Sequence, residues 1–332
     1  MKTYIISRVT VYLLVIFIGI SLCFVIPRLT GADPVEVVLE RIGAYEDYYD
    51  PVVIEGLRNS LEELYGLKGS ILEQYISFWK RLLLGDFGPS LTEFPTPVTK
   101  LVYRAMPWTL GLLLVTTLVS WSLSNLVGGI AGYFEKAKWA KPLTAFSIVV
   151  RNIPYYILSL CLVFFFSYLI PIFPMMGGYS IGVKPSLSLE FILDVLHHAF
   201  LPAVSIVIGN YGAGFIVMRG LSTAVKSEDY TKFAEIMRLD RRTILYRYII
   251  RNALLPRVTA LAISLGNIFT GALALEVVFS YPGLGSLLQR AIINSDYNLI
   301  MGITTYSIVG VATATLLLDF IYPFVDPRIR YK

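Results

Sequence analysis

The chain has 332 residues, of which 56% are hydrophobic and 15% are charged, and its mean hydropathy is +0.67. Because soluble domains carry about 25% charged residues, this composition excludes an ordinary soluble domain and indicates a protein embedded in lipid. The two cysteines lie inside apolar runs and the two histidines are adjacent, which argues against a disulfide framework and against a metal site.

Six apolar stretches are long enough to cross a membrane, which takes about 20 helical residues. In chain order they are Val9 to Ile26, Trp108 to Ala131, Leu143 to Ile170, Phe200 to Met218, Val258 to Phe279 and Leu299 to Tyr322. Arg151, Asn152 and Pro154 interrupt the third stretch, so it is either one long kinked helix or a short interfacial helix followed by a span from Ile153. In lipid, a single segment satisfies all its backbone N–H and C=O groups internally only as a helix. We therefore predict an all-α polytopic membrane protein with six transmembrane helices.

A cleaved signal peptide is the alternative for the first stretch, since Lys2 and Arg8 give it a basic flank. Its apolar run is longer than the roughly 7 to 15 residues of a signal peptide, and Pro27 and Arg28 stand where small residues belong. A retained transmembrane helix is the favoured interpretation.

The distribution of charge predicts the orientation. With the N-terminus in the cytoplasm, the inner segments hold 18 Lys/Arg and 7 Asp/Glu, against 10 and 16 outside. The inner segments are residues 1–8, 132–142, 219–257 and 323–332, with Arg151 and Asp319. This basic excess satisfies the positive-inside rule, so both termini are expected in the cytoplasm of a cell-membrane protein. The net charge of +5 is then a topology signal, and no nucleic acid is expected as a partner.

The chain divides into three predicted parts: a first transmembrane helix over 1–27, an external region over 28–107 and a five-helix core over 108–332. The external region carries helical patterns at Val52–Tyr65 and Ile71–Leu84. The core contains a predicted cytoplasmic loop over 222–256.

The predicted cytoplasmic loop has two helical patterns. The first runs from Ser227, as N-cap, to Met237, and Asp240 is placed to cap a second helix that runs through Ile249. Their apolar sides and basic flanks fit either a helix pair lying on anionic headgroups or an element that docks into a groove of a partner protein.

Several motifs carry a family resemblance. In the C-terminal third these are Asp229-Tyr230 with Ala234 and Leu239, Arg251-Asn252-Ala253-Leu254-Leu255-Pro256, Glu276 with Phe279 and Pro282 to Gly285, and Asp326 to Tyr331. Upstream are Ala32-Asp33-Pro34 and Gly85-Asp86-Phe87-Gly88 with Ser90-Leu91. With these motifs the chain resembles the inner-membrane permease subunits of ATP-binding-cassette importers, in their peptide/nickel branch.

The resemblance implies a type I importer permease fold and transport by alternating access. It implies a second homologous permease subunit, two ATP-binding-cassette ATPase subunits and an external solute-binding protein as partners, besides membrane lipid. The residues expected to couple to the ATPase are Asp229, Tyr230, Phe233, Ala234, Ile236, Met237, Arg238 and Leu239. The chain has no phosphate-binding G-x-x-x-x-G-K-[ST] loop, so we expect no cofactor in it, no catalysis by it, and ATP and Mg to be used by the partner ATPases.

One departure from the family pattern lies between the two predicted helices of the loop. The family usually has Gly there and this chain has Arg238. Either the turn uses ordinary backbone angles, or Arg238 carries a strain of ~1 kcal/mol in a left-handed conformation.

The candidates for lining the solute pathway are Arg151, Asn152 and Glu276. A charge in mid-membrane usually faces a cavity or a partner, but Arg151 also fits a position near the interface from which its side chain reaches water. For Glu276 and Asp319 the resemblance favours structural pairing. The glycines of the fourth span, Gly209, Gly212 and Gly214, are expected to permit close helix packing.

The function implied by the resemblance is import of oligopeptides or similar small solutes. Import of oligosaccharides is the alternative within transport, because the external binding protein largely sets selectivity. A membrane-embedded enzyme is disfavoured because H-E-x-x-H is absent from the sequence, and the one match to G-x-S-x-G, Gly178 to Gly182, lacks the strand before it that this motif requires. A secondary transporter or channel is disfavoured because no inverted repeat is evident.

Overall fold

The computed structural model describes residues 2–29, 35–36, 39 and 51–325, and these residues form helices, turns and loops without a β-strand. The helices are α1 (Lys2–Leu29), α2 (Pro51–Leu64), α3 (Ile71–Leu83), α4 (Val98–Tyr133), α5 (Ala140–Arg151), α6 (Tyr155–Val163), α7 (Leu189–Lys226), α8 (Asp229–Ile236), α9 (Arg241–Thr270), α10 (Leu273–Val278), α11 (Leu284–Ile293) and α12 (Tyr297–Val325). A π-helical turn, Phe164–Leu169, continues α6, and another, Ile244–Ile250, lies within α9. The motifs at 32–34 and 326–331 lie outside the described residues.

Five helices, α1, α4, α7, α9 and α12, are each long and apolar enough to cross a membrane. By length and composition, α5 and α6 together suffice for a sixth crossing if the bent pair is one span, and the angle between Ala140–Arg151 and Tyr155–Leu169 is 101°. The bend falls at Pro154, which lacks an N–H donor and restricts the residue before it. The third stretch is therefore two helices that meet at a sharp break, and whether the second of them spans alone stays a prediction.

Glycines bring the central helices into backbone contact. A Cβ on Gly132 of α4 would stand 2.5 Å from the carbonyl oxygen of Arg219 on α7, and one on Gly212 of α7 would stand 2.6 Å from that of Ser147 on α5. Such close approach is how small residues drive helix association in lipid. The packing role predicted for the α7 glycines is confirmed.

The first helix lies against the last one. Arg8 forms an ion pair with Asp319 at 3.3 Å, and the hydroxyl groups of Tyr12 and Thr313 are 3.2 Å apart. The structural pairing expected for Asp319 is therefore confirmed, with Arg8 as its partner.

The region before α4 is tied to the core by hydrogen bonds at the start of α12. The Ser90 hydroxyl and the Thr92 backbone N–H donate to Asp296 Oδ2 at 2.5 and 2.9 Å, and the Asn298 amide donates to the Pro89 carbonyl at 3.0 Å. The expected boundary at residue 107 falls inside α4, whose first turns pack with α11 and α12 in a shared hydrophobic cluster. The last ten residues of the predicted external region thus belong to the core helix. The two helices predicted in the external region are confirmed as α2 and α3.

The fifth predicted span is wrong in its limits. It was expected from Val258 to Phe279, but α9 begins at Arg241 and ends at Thr270. Gly271 then adopts a φ of 76°, which breaks the helix, and α10 is a separate short helix. The predicted second loop helix is the start of α9, so the expected loop over 222–256 reduces to residues 227–240, here named the connecting segment.

Candidate functional site

The connecting segment is held firmly at one end of the bundle by the inner side of α8. Thr231 is fully buried and its hydroxyl donates to the Val225 carbonyl at 2.9 Å. Ala234 is 2% exposed and lies in a hydrophobic cluster that draws on the ends of α4 and α7 and the start of α9. The inner side of α8 therefore contacts three membrane helices.

The outer side of α8 and the residue that follows it is apolar and unpaired within the described chain. Phe233, Ile236 and Met237 are 63%, 77% and 61% exposed, and Tyr230 is also exposed beside them. Large apolar side chains grouped on a surface indicate a site of interaction with another protein or a membrane. Asp229 and Leu239, which are also predicted coupling residues, are exposed at the edges of this surface.

Ala234 requires a correction. It was expected among the residues that face the ATPase, but its side chain points into the bundle and contacts its own chain. The helical spacing explains this, because residues 231 and 234 share one side of α8 and residues 230, 233 and 237 share the other. Ala234 positions the helix and offers no surface to a partner.

The ends of the connecting segment are defined by caps. The expected N-cap, Ser227, terminates α7 instead, and Glu228 occupies the N-cap position of α8. Asp240 caps α9 as expected, accepting a hydrogen bond from the Thr243 N–H at 3.0 Å. Hydrogen bonds from the Thr243 side chain and backbone hold the pKa of the Asp240 carboxyl below its usual value.

Arg238 adopts the left-handed conformation, with a φ of 55°. The Arg238 N–H donates to the Glu235 carbonyl at 3.0 Å and the Leu239 N–H to the Ala234 carbonyl at 3.3 Å. These two bonds form a Schellman motif, in which the position of Arg238 favours glycine. The interpretation with ordinary backbone angles is wrong, and the strained alternative is the one observed.

Glu276 is fully buried at the N-terminus of α11. Its carboxylate accepts hydrogen bonds from the Thr109 hydroxyl at 2.7 Å and from the backbone N–H groups of Gly285 and Ser286 at 2.7 and 3.2 Å. A Cβ on Gly283 would overlap this carboxylate. The Glu276 and Pro-Gly-Leu-Gly motif is therefore a structural lock between α4, α10 and α11, and the structure places Glu276 away from open space.

Arg151 and Asn152 lie exposed at the break between α5 and α6. The Asn152 amide donates to the carbonyl of Ile148 at 2.7 Å. Neither residue lines the cleft between α4, α7 and α9 that is described next. Their assignment to a solute pathway gains no support from their positions.

A cleft of about 420 Å³ lies between α4, α7 and α9, with Tyr155 of α6 at its side. One face of each helix lines it, at helical spacing, and each face contributes polar side chains. The polar residues are Thr117, Ser120, Ser124, Asn210, Arg257, Ser264 and Asn267. Among the described residues that line the cleft, Arg257 alone is charged.

The sequence interpretation missed Arg257 because it directly follows the Arg251 to Pro256 motif and was counted with the cytoplasmic charges. A signal was present: Arg257 and Ser264 are seven residues apart, which places them on the same helical face. The continuity of α9 from Arg241 was needed to show that this face lies within the bundle. In the described ranges, no three His, Cys, Asp or Glu side chains form a group that could hold a metal ion.

The sequence match to known families agrees with this architecture. The family described as binding-protein-dependent transport system inner membrane component matches residues 124–331, which is more than half of the chain. The chain belongs to this family. The matched region of the permease contains the connecting segment, the Glu276 lock and most of the cleft. The predicted fold class, an all-α polytopic inner-membrane permease, is confirmed, and so is its function as a permease subunit of a binding-protein-dependent transport system.

Individual relatives extend the similarity over the full length of the permease. It is 31% identical to the oligopeptide transport system permease protein AppB of Bacillus subtilis over 333 residues, with all of both chains covered. It is 28% identical to the oligopeptide transport system permease protein OppB of Haemophilus influenzae, again over the whole of both chains. It is 28% identical to the dipeptide transport system permease protein DppB of Bacillus subtilis, over 83% of this chain and 85% of the relative.

Proposed function

We propose that the permease is one of two homologous membrane subunits of an ATP-driven importer of oligopeptides or similar small solutes. Its similarity to oligopeptide and dipeptide permeases over most or all of the chain supports peptides as the substrate class. The second permease subunit, two ATPase subunits and an external solute-binding protein complete the proposed assembly. ATP and Mg are bound by the ATPase subunits, since this chain has no phosphate-binding loop.

The proposed orientation puts both termini and the connecting segment in the cytoplasm. The excess of Lys and Arg in the segments on that side supports it. The observation that carries the coupling proposal is the apolar outer side of α8, where Phe233, Ile236 and Met237 are exposed. A short helix with an apolar side and charged edges fits a groove on a partner protein.

In the proposed cycle, ATP binding draws the ATPase subunits together and moves α8. Because Thr231 and Ala234 join α8 to the ends of α4, α7 and α9, that movement changes the angle between these helices. The cleft lies between the same three helices. Coupled movement of α8 thus opens the cleft alternately to the two sides of the membrane, and hydrolysis resets it.

The test is replacement of Phe233 by Ser in the complete importer reconstituted in vesicles. Loss of one exposed apolar anchor should lower the affinity for the ATPase subunit by about tenfold or more, and peptide uptake should fall with it. Ile181→Ser is the matched control, because Ile181 is likewise an exposed apolar side chain but lies between α6 and α7, away from the connecting segment. Co-purification of the ATPase subunit and ATP-dependent uptake are the measurements.

Unchanged ATPase binding in Phe233→Ser, together with unchanged uptake, would contradict the docking assignment. The headgroup interpretation of α8 predicts that result instead, since a lipid surface tolerates the loss of one side chain without affecting the ATPase.

A further inference from the structure

Arg257 places a positive charge deep within the bundle. Its neighbour Asn125 is eight residues from the end of α4, a rise of about 12 Å, and Gly214 is twelve residues from the end of α7, about 18 Å. A charge inside the membrane is costly, at about 3 kcal/mol on insertion scales, and such residues are usually retained for a function. Arg257 faces the cleft, which lowers the free energy that its charge would cost in contact with lipid.

One hydrogen bond anchors the guanidinium group of Arg257 and leaves its other donors over. Its Nε donates to Asn125 Oδ1 at 2.7 Å, and the Trp121 indole N–H donates to the Arg257 carbonyl at 2.9 Å. A Cβ on Gly214 would come within 3.1 Å of Arg257 Nη2, so the glycine leaves room for the guanidinium. No carboxylate of the described chain forms an ion pair with it, and its terminal nitrogens remain available to a ligand.

The rest of the cleft is uncharged and combines polar with apolar side chains. The hydroxyl groups of Ser120 and Ser124 bond to carbonyls of their own helix, while Asn210 and Asn267 are exposed to the cleft. A volume of about 420 Å³ lies within the range of small-molecule sites, ~300 to 1,000 Å³. The cleft therefore combines room for a solute with one cation, Arg257, among the described residues that line it.

We propose that Arg257 is a specificity-determining residue that binds a carboxylate group of the solute during its passage through the cleft. An arginine fork matches the two oxygens of a carboxylate, and this pairing is stronger when water is partly excluded. The inference rests on the proposed function, and for a peptide substrate the group is the C-terminal carboxylate. The competing source of a carboxylate is a side chain of the second permease subunit, and the test distinguishes the two.

The experiment measures ATP-dependent uptake of tri-alanine and of tri-alanine amide into vesicles that contain the complete importer. The quantity compared is the ratio of acid to amide uptake, because any preference of the binding protein cancels between permease variants. The variants are Arg257→Gln, which removes the charge, and Arg257→Lys, which keeps it. Arg247→Gln is the matched control, as Arg247 is exposed near the start of the same helix and outside the cleft.

We expect Arg257→Gln to lower the acid-to-amide ratio by about tenfold, the effect of losing one charge-assisted hydrogen bond. Arg257→Lys should keep most of the preference, and Arg247→Gln should keep all of it. An unchanged ratio in Arg257→Gln, or any loss that falls equally on both peptides, would overturn the inference. An equal loss would assign the guanidinium to a carboxylate of the second subunit. Failure of the unmodified importer to take up either peptide would instead count against the proposed function.

Discussion

At the scale of single residues, Arg238 introduces backbone strain into the connecting segment. Its φ of 55° completes the Schellman motif that ends α8. A side chain in this conformation costs about 1 kcal/mol relative to glycine. The strain lies directly beside the apolar surface that we assign to docking.

Arg238→Gly should therefore stabilise the end of α8 by about 1 kcal/mol, equivalent to roughly fivefold slower hydrogen exchange at the Leu239 amide. Arg238→Ala is the control, because alanine keeps the Cβ and hence the strain. Hydrogen exchange of the purified permease measures the effect. Equal exchange in the glycine and alanine variants would contradict the strain assignment.

Glu276 makes the second prediction at this scale. Glu276→Ala removes the acceptor of three hydrogen bonds and leaves buried donors of Thr109, Gly285 and Ser286 unpaired. We expect a loss of about 3 kcal/mol, seen as a lower melting temperature in detergent, and a smaller loss for Glu276→Gln. Glu93→Ala is the control, since Glu93 is exposed and its ion pair with Arg290 spans 3.7 Å. Equal melting temperatures of the Glu276 and Glu93 variants would contradict the stabilising role assigned to the Glu276 hydrogen bonds.

At the scale of elements, close packing of α5 on α7 depends on Gly212. A Cβ there would stand 2.6 Å from the Ser147 carbonyl and 2.9 Å from the Arg151 nitrogen, both rigid backbone atoms. The helices must move apart to accept any side chain.

Gly212→Ala should destabilise the permease by about 2 kcal/mol through this overpacking. Gly220→Ala, on the same helix, has no atom within 4 Å of its added Cβ and should stabilise it by up to about 1 kcal/mol. Thermal denaturation of the two variants in one detergent compares the effects directly. Stabilisation of both variants would show that helix propensity, and not the contact with α5, decides stability at Gly212.

The elements also explain where sequence patterns misplaced boundaries. Hydropathy located each crossing, but α4 and α7 extend well beyond their apolar runs and α9 begins about 17 residues before the predicted one. These extensions are stabilised by contacts, such as the packing of the first turns of α4 against α11 and α12. The mean hydropathy of a window of residues measures how well that segment suits the membrane interior, and it carries no information about contacts between helices.

At the scale of the whole molecule, the sequence by itself determined the membrane class, the six crossings, the family and the position of the connecting segment. These follow from the length of apolar runs and from short motifs such as Arg251 to Pro256, which are read directly along the chain. Only the tertiary structure decided that Ala234 faces inward, that Glu276 locks α11 and that Arg257 faces the cleft. The reason is physical: in lipid, both the inner and the outer sides of a helix are apolar, so periodicity alone does not tell which side faces the bundle.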